Sequence, residues 1–207
     1  MTASSEAVPN HHADYPGFAG VLGLVAALTM VWDRRGDIPL AERLSDLTPQ
    51  DTVVDVGCGP GTAVRRAAQV GATVTGVDPA PVMLQVARLL TKSHERAHYS
   101  TGTAEALPVP DGSVSVLWAI RTVHHWQNID AALTEARRVL APAGRFVAIE
   151  RRTEPGATGH ASHGWTNEQA GAFADICKQH GFVDAHVGHH ESGSNAALSV
   201  SAKAPAP

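Results

Sequence analysis

Hydrophobic and polar positions divide the chain near residue 50. From Gly17 to Trp32 every residue but Thr29 is apolar or glycine, and residues 18–34 predict one helix, closed by Asp33-Arg34-Arg35-Gly36. A second short helix is predicted from Leu40 to Leu47, ending before Thr48-Pro49. Beyond it the pattern alternates between short β-rich runs and amphipathic stretches. Strands are predicted at Thr52–Val56, Thr73–Val77, His98–Thr101, Ser113–Ile120 and Arg145–Ile149. Helices are predicted between and after them, from about Thr62 to Gln69, Pro79 to Leu90, Asn128 to Leu140 and Thr166 to His180. Two last strands, Phe182–His189 and Ala196–Ser201, have no helix between them and predict a hairpin at one edge. Alternating strands and helices imply a mainly parallel sheet covered on both faces.

Two parts are expected: a helical segment over residues 1–50 that covers a cleft, and one domain over residues 51–203. A chain of 207 residues has little room for two independent cores. Residues 1–14, with the pair His11-His12, read as a mobile polar tail, and Ala204-Pro205-Ala206-Pro207 as a disordered one. The apolar run is shorter than the roughly 20 residues that span a bilayer. It is read as a buried helix rather than a stable membrane insertion, with a homodimer contact as its minority reading.

Charge changes the picture only slightly. Sixteen basic and twenty acidic residues leave a net charge of -4, and no lysine or arginine stripe forms, so no nucleic-acid partner is expected. Two cysteines without paired spacing suit a reducing, cytoplasmic compartment.

The densest chemistry lies at Val53-Val54-Asp55-Val56-Gly57-Cys58-Gly59-Pro60-Gly61-Thr62, a strand running into a tight turn and a helix. Glycines at 57 and 59 let backbone approach a ligand at the carboxyl end of a parallel strand. A dinucleotide fingerprint would want glycine at position 62, where Thr62 stands, which disfavours a nicotinamide oxidoreductase. Asp78, ending the second strand, is placed to accept two ribose hydroxyls. Its competing reading is a cap for the following helix.

With these motifs the chain resembles class I S-adenosylmethionine-dependent methyltransferases, in particular the small-molecule branch of the ubiquinone/menaquinone-biosynthesis type. The likeness runs from about Asp51 to Ile149. It rests on the glycine turn, Gly76-Val77-Asp78, Gly102-Thr103-Ala104-Glu105-Ala106-Leu107-Pro108, His124-His125-Trp126, and Glu135-Ala136-Arg137-Arg138-Val139-Leu140 before Pro142-Ala143-Gly144-Arg145. The resemblance implies a Rossmann-like three-layer α/β sandwich with a seven-stranded, mainly parallel sheet and an antiparallel edge strand. It implies S-adenosyl-L-methionine as cofactor and a small-molecule acceptor.

Residue by residue, it puts Asp55, Gly57, Cys58 and Gly59 at the methionine end, Asp78 at the ribose and Pro79 near adenine. It carries Thr103, Ala104 and Glu105 along the adenine edge, and Ile120, Arg121 and His124 beside the transferring methyl. Thr103 departs from the family's usual aspartate; losing charge assistance there costs about 1 kcal/mol.

Methyl transfer mainly needs alignment and exclusion of water, with a base only where the acceptor must lose a proton. His124 is the candidate base. His125, His163, Tyr15 and Phe18 are candidate substrate contacts, each with ordinary packing or solvent exposure as its alternative, and His160 shares the loop of His163. No metal is assigned: His160-x-x-His163 and His186-x-x-His189-His190 lack the HExxH pattern and cysteine support. Residues 118–126 lack the Asn/Asp-Pro-Pro-Tyr/Phe segment associated with base methylation. The acceptor is expected to be small and partly hydrophobic, quinone-like, lipid-like or a natural product. The rival function is a non-catalytic S-adenosylmethionine-binding module or partner subunit.

Overall fold

The computed structural model describes residues 8–13, 36–92, 94–192 and 195–207. The predicted helix over 18–34, with the homodimer contact assigned to it, and Tyr15 and Phe18 lie outside the described residues.

The elements run α1 (Asp37–Leu44), β1 (Thr52–Val56), α2 (Thr62–Val70), β2 (Thr73–Asp78), α3 (Pro81–Thr91), β3 (Ala97–Thr101) and β4 (Val114–Ile120). They continue with α4 (Ile129–Val139), β5 (Leu140–Arg151), α5 (Asn167–Gln179), β6 (Val183–Ser192) and β7 (Asn195–Lys203). Seven strands make one sheet in the order β3-β2-β1-β4-β5-β7-β6. Neighbours from β3 to β5 are parallel, and β7 runs antiparallel to both β5 and β6, so the last hairpin closes one edge. The order reverses at β1 and β4, where open sheets of this kind bind ligands beyond their carboxyl ends.

Alternation along the central strands divides the core in two. Val54, Leu117, Phe146 and Ala148 face one layer with Leu133 and Ala136 of α4 and Phe173 and Ala174 of α5. Val53, Val116, Trp118 and Val147 face the other with Ile38 and Ala41 of α1 and Val64 and Ala67 of α2. A one-residue register slip would exchange these faces, so burial on both sides pins the pairing.

Helix ends follow local chemistry. Thr166 accepts from the Gln169 N–H while the Gln169 side chain accepts from the Thr166 N–H, a full capping box that starts α5. Asn128 caps α4 by accepting from the Ala131 N–H at 3.0 Å.

Several boundaries differ from expectation, and three of the differences have a visible cause. α1 begins at Asp37 and ends at Leu44, three residues earlier at each end than predicted. Asp37 is buried and pairs with Arg121 at 2.6 Å, so a long-range contact sets where the helix starts. β5 reaches from Leu140 to Arg151, because Leu140 pairs with Val114 before a register shift across the 141–144 turn. The C-terminal tail is docked: the Ala204 N–H donates to the Gly144 carbonyl at 2.8 Å, and the Pro205 carbonyl accepts from the Ala143 N–H at 3.2 Å. Ala204 is buried there, since a small apolar residue fits beside a turn whose backbone groups need partners.

Among the described residues, no helix is long and apolar enough to cross a membrane.

Candidate active site

The glycine turn is built from the strand it leaves and the strand beside it. The Gly57 and Cys58 N–H groups both donate to the Val77 carbonyl, at 2.8 and 3.1 Å. Gly57 has φ +68°, and a Cβ there would lie 2.2 Å from the Thr122 hydroxyl oxygen, so only glycine fits. Asp55 and Cys58 are buried behind the turn.

Asp78 ties two backbone segments together. One carboxylate oxygen accepts from the Gly59 N–H at 2.9 Å and the other from the Ala80 N–H at 2.9 Å. It therefore braces the glycine turn and holds Ala80, the residue before α3, without supplying a side-chain cap to the helix itself. Each carboxylate oxygen has a second acceptor direction, so this orientation is compatible with two hydroxyls of a ligand. Thr103 sits in a tight turn closed by the Ala106 N–H on its carbonyl at 3.2 Å, with Ala104 buried. Glu105 accepts from the Gln127 and Asn128 N–H groups at 3.0 and 3.1 Å, tying this turn to the start of α4. Ile120 is buried at the end of β4, and the next residue, Arg121, forms the pair with Asp37.

The other side of the site is lined by imidazoles. A short 3-10 turn, Val123–His125, follows β4. His124 is 3% exposed, and its Nδ1 lies 2.8 Å from Oε2 of Glu150, which is fully buried near the end of β5. The His124 N–H also donates to Oε1 of Glu150 at 3.3 Å. Burial would raise the Glu150 pKa; the His124 ring and its bonds outweigh that and hold the carboxyl below its usual range. An ionised carboxylate only accepts, so Nδ1 of His124 carries a proton and Nε2 is the nitrogen that can take one.

His125 and His163 join this group, with ring centroids 4.1 and 5.5 Å from that of His124. Burial, then the neighbouring His124, pushes the His125 pKa down to about 4. The sequence reading singled out all three of these histidines but not Glu150, which anchors His124. A lone carboxylate ending the apolar run Phe146–Ile149 was the signal for it.

It also missed the N-terminal contribution. Residues 8–13, expected to be mobile, lie across the site. The His12 N–H donates to the His124 carbonyl at 2.9 Å, Asn10 donates to the Trp126 carbonyl at 2.9 Å, and Trp165 donates to the Pro9 carbonyl at 3.0 Å. The Gln169 amide bonds Nδ1 of His11 at 3.3 Å, which leaves Nε2 of His11 as donor to the Ser162 carbonyl at 2.9 Å. His12 is buried, and its pKa is pushed down to about 4 by burial and then by His11, His163 and His124. Beside His11 a cavity of about 110 Å³ is lined by Thr153, Glu154, Ser162 and Gln169, below the few hundred Å³ of an ordinary small-molecule site.

Residues 54–148 match the family model of a methyltransferase domain. Over that stretch, a little under half of its length, the chain is similar to methyltransferase domains. A demethylmenaquinone methyltransferase of Tropheryma whipplei is 36% identical over 108 residues, covering 52% of this chain and 45% of that protein. The chain thus spans less than half the length of that relative. A SAM-dependent methyltransferase from Aquifex aeolicus has the same fold, with TM-score 0.72 and 18% identity over 87% of this chain and 97% of that one. So does the [4+2]-cyclase SpnF, with TM-score 0.68 and 18% identity over 89% of this chain and 93% of that one. At such identities the fold alone is shared, and the chemistry of this chain has to be argued from its site.

Proposed function

We propose that this chain transfers a methyl group from S-adenosylmethionine to a small, partly hydrophobic acceptor with an ionisable hydroxyl, of the quinol type. The observation that carries the reading is that the Asp78-braced glycine turn and the Glu150-held His124 stand at the carboxyl ends of neighbouring strands. The residues fit the cofactor: a backbone turn with positive φ at Gly57, Gly59 and Gly61, which favours glycine and leaves backbone open to a ligand, and a carboxylate fixed by two N–H donors.

When bound, the cofactor supplies a methyl group already activated on a sulfonium. The turn at Gly57–Gly59 holds its amino-acid end, Asp78 its ribose, and the Thr103–Ala104 turn its adenine edge. His124 takes the acceptor's proton at Nε2, and Glu150 stabilises the imidazolium that results. Arg121, paired with Asp37, keeps α1 against the end of β4 and so shapes the wall beside the methyl. The relative that acts on demethylmenaquinone supports a quinol-like acceptor.

Calorimetric titration with S-adenosylmethionine and S-adenosylhomocysteine tests the cofactor site, with NADH as control. Micromolar binding of both, lost in Asp78→Ala, is the expected result. Binding without transfer to any hydroquinone or phenol would replace methyl transfer with a binding-module role, for which Thr103 and the shared cyclase fold are the supporting observations.

A further inference from the structure

Three histidines from three separate segments converge beside the site. His12 belongs to the N-terminal segment, His124 to the turn after β4 and His163 to the loop before α5, and a ring nitrogen of each lies within 4.8 Å of the others. The rings of His12 and His163 are 4.3 Å apart at their centroids.

The bonds around two of them define which nitrogen is presented. Glu150 engages Nδ1 of His124 and leaves Nε2. Ser162 donates its hydroxyl to the Gly159 carbonyl at 2.7 Å, so its oxygen can only accept from Nε2 of His12, 3.1 Å away. That gives His12 the tautomer whose Nδ1 carries the lone pair. Outer partners that fix tautomer and orientation in this way are characteristic of metal-bound imidazoles.

We propose that His12, His124 and His163 form a binding site for a zinc-class divalent cation, with Glu150 and Ser162 as its supporting shell. Neutral imidazoles favour zinc and similar first-row metals over calcium or magnesium, which take oxygen donors. Zinc–nitrogen bonds of about 2.0–2.1 Å put ligating nitrogens about 3.3 Å apart. Small rotations close the set to that span, most readily at half-buried His163 on its loop. Three protein ligands leave a fourth position open.

On the methyl-transfer reading, which this role rests on, that position faces the acceptor. A hydroxyl there binds the cation as its oxygen gives its proton to water, and His124 is then a ligand instead of the base. The cation also staples residues 8–13 over the site.

The test uses the full chain, stripped with a chelator and titrated with cobalt(II) alone, followed by visible absorption. One equivalent with ligand-field bands is expected. His163→Ala reduces binding to the level of the surface histidines on β6, and Glu150→Gln weakens it about 10–100-fold while keeping the bands. His186→Ala combined with His190→Ala serves as control and leaves the bands unchanged. The site is refuted by absence of stoichiometric binding, by bands that survive His163→Ala, or by bands lost in the β6 control. Circular dichroism establishes that each variant is folded, and Glu150→Gln decides the matter if His163→Ala is not. Titrating the same preparation with S-adenosylmethionine reports on the cofactor site separately, so loss of the cation site leaves the methyltransferase reading standing.

Discussion

The two halves of the site are built by opposite strategies. The glycine turn lies within one contiguous stretch, Val53–Thr62, and its geometry comes from backbone conformation and from the strand next to it. The histidine face is assembled from four segments far apart in the chain: residues 8–13, the turn after β4, the end of β5 and the loop before α5. The first half is specified by what it excludes, since a Cβ at Gly57 has no space. The second is specified by hydrogen bonds between side chains that meet only after folding. Local construction therefore resists change through sterics, and distributed construction through a network of individually modest bonds.

The comparison breaks first at Gly57. Gly57→Val forces a left-handed backbone on a β-branched residue and drives Cβ into Thr122, and is expected to cost about 3 kcal/mol or more in urea unfolding. A cost below about 1 kcal/mol would mean the turn yields as easily as the histidine face.

A smaller effect is expected at the opposite end of the sheet. Asp51 accepts from the Ser115 hydroxyl and from the Thr48 N–H, both at 2.7 Å, and pairs with Arg145. Burial raises its pKa, but these partners prevail and hold it below the ordinary value. A depressed folded pKa contributes stability above the unfolded value, near 4, which is lost as pH falls through the folded one. Asp51→Asn is expected to destabilise by about 1–2 kcal/mol at neutral pH, with the gap closing below about pH 4. A gap that persists in acid would locate its origin in packing rather than charge.

The smallest change sharpens the comparison most. Trp165→Phe removes the donor to the Pro9 carbonyl and is expected to cost about 1 kcal/mol. Protease cleavage near residues 8–13 should rise while affinity for S-adenosylmethionine stays the same. An equal loss of cofactor affinity would show that the two halves are coupled.

Legibility in the sequence follows the same division. All seven strands and the five helices from α1 to α5 were predictable, because burial on both faces imposes runs and periods that the residues themselves display. Asp78 and the glycines were legible from their place at strand ends. His11-His12 was visible as a pair, yet nothing local distinguished a docked segment from a mobile tail. Glu150 was inconspicuous, a single carboxylate following the apolar run Phe146–Ile149. The start of α1 was misplaced because its determinant, Arg121, lies 84 residues further along the chain.

By itself, then, the sequence determined the alternation of strands and helices, the face each strand residue takes, and a turn in which glycine is a steric necessity. These depend on conformational preference and on burial period, both of which act within a few residues. The tertiary structure alone decided that His12, His124 and His163 meet, that Glu150 holds one of them, and that the C-terminal tail is docked. Such contacts join positions as far as 151 residues apart, as His12 and His163 are, and their bonds gain strength only where folding has removed the competing water.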